Sequence, residues 1–294
     1  MWKKKRVNLA IKDHVLRYAI GQGYSSNATT HLGEEPLPEG VIVDGKIEDP
    51  KALLDIVKSL VKREKWTNRT LYFCIPDSFI TFREILVPLE LERHEIRGYV
   101  ELEWKDNHPF PFTDPIFDYA PLEEVDGKRR VLLVAYPNSI IHPYKEVFEQ
   151  ANLKPKVADV TAFSLYRLFA HLDKHKREES LLTIQWGFGS IVLAAFYGGI
   201  PAFIRSIKHT DDQSDGISSD TLLAIERFMD FYQFSIKEGS QQISRILLIA
   251  EDQNVTQIKE RLQAQFSIPV DTFEADLQPV KQHFSDVLGL MTKA

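Results

Sequence analysis

The apolar positions of this chain fall into segments of strand length that alternate with segments of helical spacing. The longest apolar segment, residues 181–204, carries no charged residue and is long enough to span a bilayer. Gly187, Gly189 and the Gly198-Gly199-Ile200-Pro201 sequence divide it, because glycine supplies the positive φ of tight turns and proline interrupts a helix. We therefore predict three strands of a sheet here, the last over residues 200–207, and no transmembrane helix.

The same order of elements occurs before and after this point. The first half predicts three strands, a helix opened by Asp49-Pro50 and a buried strand; the strands fall at residues 6–11, 15–20, 41–43 and 71–75. In the second half, the three strands are followed by a helix at residues 218–236, a strand at 245–250, a helix at 255–266, a strand at 270–273 and a helix at 280–290. This repetition predicts an α/β fold with two related halves.

A third unit, from residue 81 to about residue 155, lies between the halves. Its pattern predicts a strand, a helix over about residues 92–105, two more strands and a second helix, which together form a small α+β module. The loop Asn107-His108-Pro109-Phe110-Pro111-Phe112 holds two phenylalanines stiffly between prolines. Exposed phenylalanines would reduce solubility, so they either fill the base of the module or line a binding groove.

The composition limits the partners and the cellular compartment that we expect for this protein. The 294 residues are 44% hydrophobic and 27% charged, as in a folded protein, and the net charge of −6 provides no basic field for nucleic acid. The single cysteine, Cys74, excludes an internal disulfide and suits a reducing compartment. The N-terminal Lys3-Lys4-Lys5-Arg6 is not followed by the apolar run of a signal peptide, so we expect a cytoplasmic protein.

Four stretches resemble the PilM family of type IV pilus assembly proteins, which is related to the cell-division protein FtsA. They are residues 41–88, 91–124, 129–169 and 268–290, and the most specific pieces are the PFPF loop and the LKPKVADV strand. The resemblance implies an actin-like fold of duplicated βββαβα halves with an inserted FtsA-like α+β subdomain. The implied subdomains are residues 1–80 with 156–177, the insert at 81–155, and residues 178–294.

The resemblance also implies a function. PilM-like proteins are cytoplasmic adaptors at the inner face of the cell membrane in pilus assembly, or in related competence and secretion systems. They bind the N-terminal tail of the bitopic inner-membrane protein PilN in a groove between the first subdomain and the insert, and the pilus assembly ATPase is a further candidate partner. We expect no nucleic acid partner and only peripheral membrane contact. The candidate groove residues are Arg83, Leu86, Trp104, Phe110, Phe112 and Tyr119.

Actin-like proteins bind ATP and a cation through two glycine-rich hairpins, each with an aspartate. Where the family has Asp-x-Gly-Ser/Thr in the first hairpin, this chain has Lys12-Asp13-His14 and no glycine. The second hairpin keeps Gly187 and Gly189, but Gln185 occupies the usual aspartate position. The glycine-rich turn expected on the adenosine side is replaced by Ala250 followed by acidic residues.

The sequence between the third strand and the helix of the second half is also too short for the helical subdomain that encloses the base in related proteins. We therefore expect a degenerate nucleotide site, no cofactor, no metal and no catalysis, that is, a pseudo-ATPase scaffold. Two alternatives stay open: an actin-like ATP-binding switch in the same machinery, and a self-assembling FtsA-like filament protein.

Two weaker motifs have simpler explanations. Residues 40–47 match a P-loop except that Ile47 lacks the hydroxyl for magnesium, and the Asp44-Gly45 pair predicts a hairpin turn instead. His171 and His175 have a spacing compatible with a metal, but they lie among charged residues that suit a solvated helix end. The sequence contains no recognised nucleophile motif.

Overall fold

The computed structural model describes residues 6–25, 31–106, 110–172, 179–187, 189–208, 217–250, 255–274 and 277–293. It forms two compact units, Met1–Ser78 with Lys145–Ala294, and Phe79–Tyr144. The larger unit contains two five-stranded sheets and a short hairpin, and the smaller unit contains a three-stranded sheet.

The strands are β1 (Val7–Lys12), β2 (Val15–Ile20), β3 (His31–Pro36), β4 (Ile42–Val43), β5 (Lys46–Ile47), β6 (Thr70–Ile75), β7 (Thr81–Pro88), β8 (Pro115–Val125), β9 (Lys128–Pro137), β10 (Lys154–Val160), β11 (Ser180–Trp186), β12 (Ser190–Tyr197), β13 (Ile200–Lys208), β14 (Arg245–Ala250) and β15 (Val270–Asp271). The helices are α1 (Pro50–Arg63), α2 (Arg93–Asp106), α3 (Asn138–Gln150), α4 (Thr161–His171), α5 (Ser219–Asp230), α6 (Val255–Phe266), α7 (Pro279–His283) and α8 (Ser285–Met291). A π-helix, Phe231–Ile236, continues α5 directly.

The two large sheets have the same strand order. In the sheet β10-β6-β1-β2-β3 and in the sheet β13-β12-β11-β14-β15, the first strand in sequence is central. Its antiparallel neighbours lie on one side and its parallel neighbours on the other. The long apolar segment forms β11, β12 and β13, as predicted, and among the described residues no helix is long and apolar enough to cross a bilayer.

The predicted third strand of the first half is wrong. Residues 42–47 form the separate hairpin β4–β5, and the third strand of the sheet is β3, with the sequence HLGEEP. This strand lies at the edge of the sheet and several of its side chains are exposed, so it lacks the apolar pattern that marks the other strands.

The C-terminal helix α8 is buried in the larger unit, against α4 and the first sheet. A Cβ atom added to Gly289 would lie 1.9 Å from the carbonyl oxygen of Ser164, so the backbones of α4 and α8 approach as closely as glycine allows. The Arg6 guanidinium donates to the carbonyl oxygens of Leu290 (3.2 Å), Met291 (2.9 Å) and Lys293 (2.9 Å). These bonds fasten the end of α8, whose last carbonyl groups have no following helical turn to donate to them, to Arg6, the residue before β1.

The smaller unit is an antiparallel sheet of order β7-β9-β8 with α2 packed on one face. Its buried core consists of apolar residues from β7, β9, α2 and the loop before β8, namely Ile85, Val87, Ile96, Val100, Phe110, Val131, Leu133 and Ala135. β7 and β8 are the two edge strands of this sheet.

Candidate functional site

In the first hairpin of the predicted nucleotide site, the Asp13 carboxylate binds backbone amides of the same chain. The Asp13 carboxylate accepts hydrogen bonds from the backbone amides of Asp44 (2.7 Å) and Gly45 (3.0 Å). Burial raises the pKa of this carboxyl group, and the two amide hydrogen bonds oppose that shift. Asp44 and Gly45 have φ values of 50° and 78°, so the predicted hairpin turn is confirmed. Asp13 therefore fixes the β4–β5 turn.

A second carboxylate lies at a helix N-terminus. Asp77 lies two residues after the end of β6 and accepts a 3.0 Å hydrogen bond from the Ala162 amide, in the first turn of α4. Helix N-termini attract anions, including phosphate, through their free amides and their dipole. In this protein, the chain's own carboxylate occupies that position.

Asp77 is almost completely buried, and its surroundings explain its protonation behaviour. Burial raises the pKa of Asp77 to about 6, while the Ala162 amide, the charge of Lys12 and the side chain of Gln185 pull the value down. Sequence reasoning missed this residue. The available signal was an acidic residue two positions after a buried strand, a place where functional side chains often lie in α/β proteins.

The second hairpin forms an ordinary tight turn. The Gly187 amide donates to the Ser190 carbonyl (3.0 Å), and Gly189 has a φ of 72°. Gln185 is 8% exposed. Its Nε2 atom makes no hydrogen bond of normal geometry within the described chain. Its side chain nevertheless lowers the pKa of Asp77, because it favours the charged form of that carboxyl group. Ala250 is the last residue of β14, and the acidic residues that follow it lie outside the described residues.

Three cations on strands of the two large sheets are paired with carboxylates. Lys12 Nζ lies 4.0 Å, and an Arg17 guanidinium nitrogen 3.5 Å, from the Asp286 carboxylate of α8. Lys208, at the end of β13, lies 2.8 Å from Asp44 and so joins the second sheet to the β4–β5 hairpin. An incoming triphosphate would have to compete with these internal carboxylates for each cation.

We expect the Asp77→Asn variant to be more stable than the wild type at pH 8. Because the pKa of Asp77 is raised in the folded state, protonation of Asp77 stabilises the wild type. This stabilisation is complete below pH 3.8 and is lost as the pH rises through about 6. The loss is on the order of 2–3 kcal/mol. Asparagine does not titrate and can still accept from Ala162. Urea unfolding should therefore show similar stabilities near pH 4 and a gain for the variant at pH 8; equal pH profiles would contradict the assignment.

The six candidate groove residues lie in the smaller unit, in different environments. Phe110 is buried and stacks on Phe112 with 5.8 Å between ring centroids, and both rings pack with the module's core. Tyr119 also packs there, and its hydroxyl donates to the Arg93 carbonyl. The interpretation that these rings fill the base of the module is therefore the one that their packing supports.

The other candidates lie elsewhere on the module. Arg83 and Leu86 are exposed on β7 and, being three residues apart, point to opposite faces of the strand. Trp104 belongs to α2, and its side chain lies outside the described residues. The metal hypothesis gains no support, because His171 Nε2 lies 2.9 Å from the Tyr24 carbonyl and His175 is outside the described residues. No group of metal-ligating side chains occurs among the residues that the structure describes.

Comparison with known proteins gives a consistent picture. The family model described as type IV pilus assembly protein PilM matches residues 19–210. Among solved structures, the PilM-PilN type IV pilus biogenesis complex aligns over 100% of both chains with a TM-score of 0.70 and 20% identity. A search of curated proteins found no match.

Two more distant structures share the fold. One is a Bacteroides thetaiotaomicron protein with an actin-like ATPase fold (TM-score 0.54, 11% identity, 99% and 97% coverage). The other is the cytoplasmic domain of EpsL, an inner membrane component of the Vibrio cholerae type II secretion system (TM-score 0.51, 8% identity, 99% and 96% coverage). The chain therefore has an actin-like α/β fold with two mixed sheets and a small antiparallel insert sheet, which confirms the predicted fold at that level.

Proposed function

Because the chain belongs to the family of the type IV pilus assembly protein PilM, we propose that it is an adaptor of a pilus, competence or secretion machine that binds the N-terminal tail of a PilN-like bitopic membrane protein. The observation that carries this proposal is full-length similarity to a PilM-PilN complex. Such an adaptor works at the cytoplasmic face of the membrane that holds its partner.

Strand β7 is the best candidate for the docking surface in the smaller unit. It is an edge strand, so a peptide laid beside it can form main-chain hydrogen bonds in the manner of an added strand. Leu86 is 47% exposed on this strand and offers an apolar contact that would fix the register of the peptide. Phe110 and Phe112 support the sheet from its covered face instead of touching the peptide.

We further propose that binding does not depend on nucleotide. Three features support this: the Asp13 carboxylate is bound to backbone amides, Asp77 occupies a helix N-terminus, and Lys12 is paired with Asp286. Only residues 209–218 separate β13 from α5, which leaves little chain for the helical subdomain that encloses the base in related proteins. These features favour the scaffold over the ATP-binding switch.

A fluorescence anisotropy titration with synthetic N-terminal tails of bitopic membrane proteins tests the proposal. We expect a tail that binds with a dissociation constant on the order of micromolar, as for peptides that add a strand to a sheet edge. Leu86→Glu should weaken that binding about tenfold or more, because it places a charge in the apolar contact. Leu102→Glu is the matched control, since Leu102 is 74% exposed on α2 of the same unit. Failure of every tail to bind would contradict the adaptor function, and equal effects of the two variants would contradict the β7 surface.

A further inference from the structure

The outer edge of β13 is the most unusual surface of the larger unit. β13 is the last strand of its sheet, and within the described residues no strand pairs with its second edge. Along its nine residues, seven are only partly buried. An unpaired strand edge presents a row of backbone donors and acceptors that an extended peptide can use.

The corresponding edge of the first sheet is protected. β3 is short and polar, and its two glutamates are paired: Glu34 lies 2.7 Å from His283, and Glu35 lies 2.7 Å from Arg63. Charged side chains and short strands are the usual means of keeping a sheet edge from pairing. The two sheets share one strand order, so the difference between β3 and β13 belongs to the sequence and not to the topology.

Exposed aromatic rings lie on the π-helix that contacts β13. Phe203 on β13 stacks against the buried Phe228, with 5.0 Å between ring centroids, and also contacts Phe231, with 4.7 Å between ring centroids. Phe231 is 44% and Phe234 63% exposed, and both belong to the π-helix that continues α5. Exposed aromatic clusters mark interaction sites, and π-helical turns occur frequently at functional sites.

The positive charge of Arg205, next to these rings, indicates that a bound peptide should carry a negative charge. In the β12–β13 register, Arg205 lies opposite Leu193, and Phe203 lies opposite Ala195. Leu193 and Ala195 belong to the core on the sheet face that α5 covers, so the side chains of Arg205 and Phe203 lie on that face too. Arg205 is exposed and makes no ion pair within the part of the chain that the structure describes. A strand added to this edge would place one residue beside Phe203 and the residue two positions away beside Arg205.

We propose that the β13 edge is a second docking surface, which binds an extended segment of another protein with a large apolar residue two positions from an acidic one. The main chain of the segment would pair with β13. Its apolar side chain would cover Phe231 and Phe234, and its carboxylate would pair with Arg205. This surface is separate from β7, and the proposal does not depend on PilN binding.

The probe is a fluorescein-labelled peptide of about ten residues. Every second residue is phenylalanine or glutamate in turn, and threonine occupies the positions between them. A second peptide replaces each glutamate by lysine. We expect the full chain to bind the acidic peptide about tenfold more tightly than the basic one, and the Arg205→Glu variant to reverse that preference. Phe234→Ser should weaken both peptides, whereas Leu102→Ser, which changes an exposed leucine in the other unit, should change neither.

Hydrogen exchange locates the bound peptide. We expect the acidic peptide to slow exchange within residues 200–208 and not within β3. The proposal would be overturned by protection elsewhere, by equal binding of the two peptides, or by no binding up to about 1 mM. It would also be overturned if sedimentation showed that the chain alone self-associates and that Phe234→Ser abolishes this, because the occupant would then be a second copy.

Discussion

Replacing Gly289 by alanine should strongly destabilise the larger unit. The new methyl group would lie 1.9 Å from the Ser164 carbonyl oxygen and 2.5 Å from its carbonyl carbon. These are backbone atoms inside α4, so relief requires separating α4 from α8. We expect a loss of about 3 kcal/mol in the free energy of unfolding, at the upper end of the usual cost of overpacking. Urea titration followed by far-UV circular dichroism measures it.

Gly98→Ala is the matched control. Gly98 also lies inside a helix, α2, but a Cβ atom there would have no neighbour within 4 Å. Alanine is the better helix former, so this variant should be unchanged or more stable by up to about 1 kcal/mol. If Gly289→Ala were as stable as Gly98→Ala, the close contact of α4 with α8 would be refuted.

Removal of the Arg17 charge should have a similarly large effect. Arg17 lies 3.5 Å from Asp286, and both side chains are about 5% exposed or less. Arg17→Met would leave the buried carboxylate with Lys12, at 4.0 Å, as its remaining cationic neighbour within the part of the chain that the structure describes. Loss of one partner from a buried ion pair costs about 3–5 kcal/mol, and we expect a value near the lower limit because Lys12 still compensates in part.

Two further variants separate this effect from a general loss of charge. Arg63→Met removes ion pairs to Glu35 and Glu64, but the arginine side chain is 49% exposed, so the variant should cost about 1 kcal/mol or less. The double variant Arg17→Met/Asp286→Leu should recover part of the stability, because no charge is then left buried without its partner. Equal losses for Arg17→Met and Arg63→Met would contradict the assignment of a buried pair.

These two contacts connect the C-terminal helix to α4 and to the first sheet. Gly289 lets α8 pack against α4, and Asp286 on the same helix then reaches Lys12 and Arg17 at the first hairpin. Asp77 accepts a hydrogen bond from the first turn of α4. In our proposal, this network takes the place that a bound triphosphate and its cation would otherwise occupy.

The elements that sequence predicted well are those whose signal is local. β11, β12 and β13 form one apolar run divided by glycine and proline, and the β4–β5 turn falls at Asp44-Gly45, a pair that is typical of such turns. β3 escaped prediction because its polar residues are stabilised by distant partners, such as His283 for Glu34. Local patterns contain no information about such pairs.

The same limit applies to the candidate site. Asp77 is significant because of the Ala162 amide, which lies 85 positions away in sequence. For the PFPF loop, sequence left two alternatives, and only the three-dimensional packing shows Phe110 inside the core of the smaller unit. The resemblance supplied the partner and the fold, whereas the internal use of Asp13 could be seen only from its contacts with Asp44 and Gly45.

The most direct measurement is the anisotropy titration of the best-binding tail, performed on the nucleotide-free chain and repeated with Mg-ATP in large excess. We expect the same dissociation constant, within about twofold, in both conditions, because a ligand changes a binding equilibrium only if it interacts differently with the two states. If the tail bound only in the presence of Mg-ATP, or at least tenfold more tightly, the protein would be a nucleotide-controlled switch and the scaffold proposal would be contradicted.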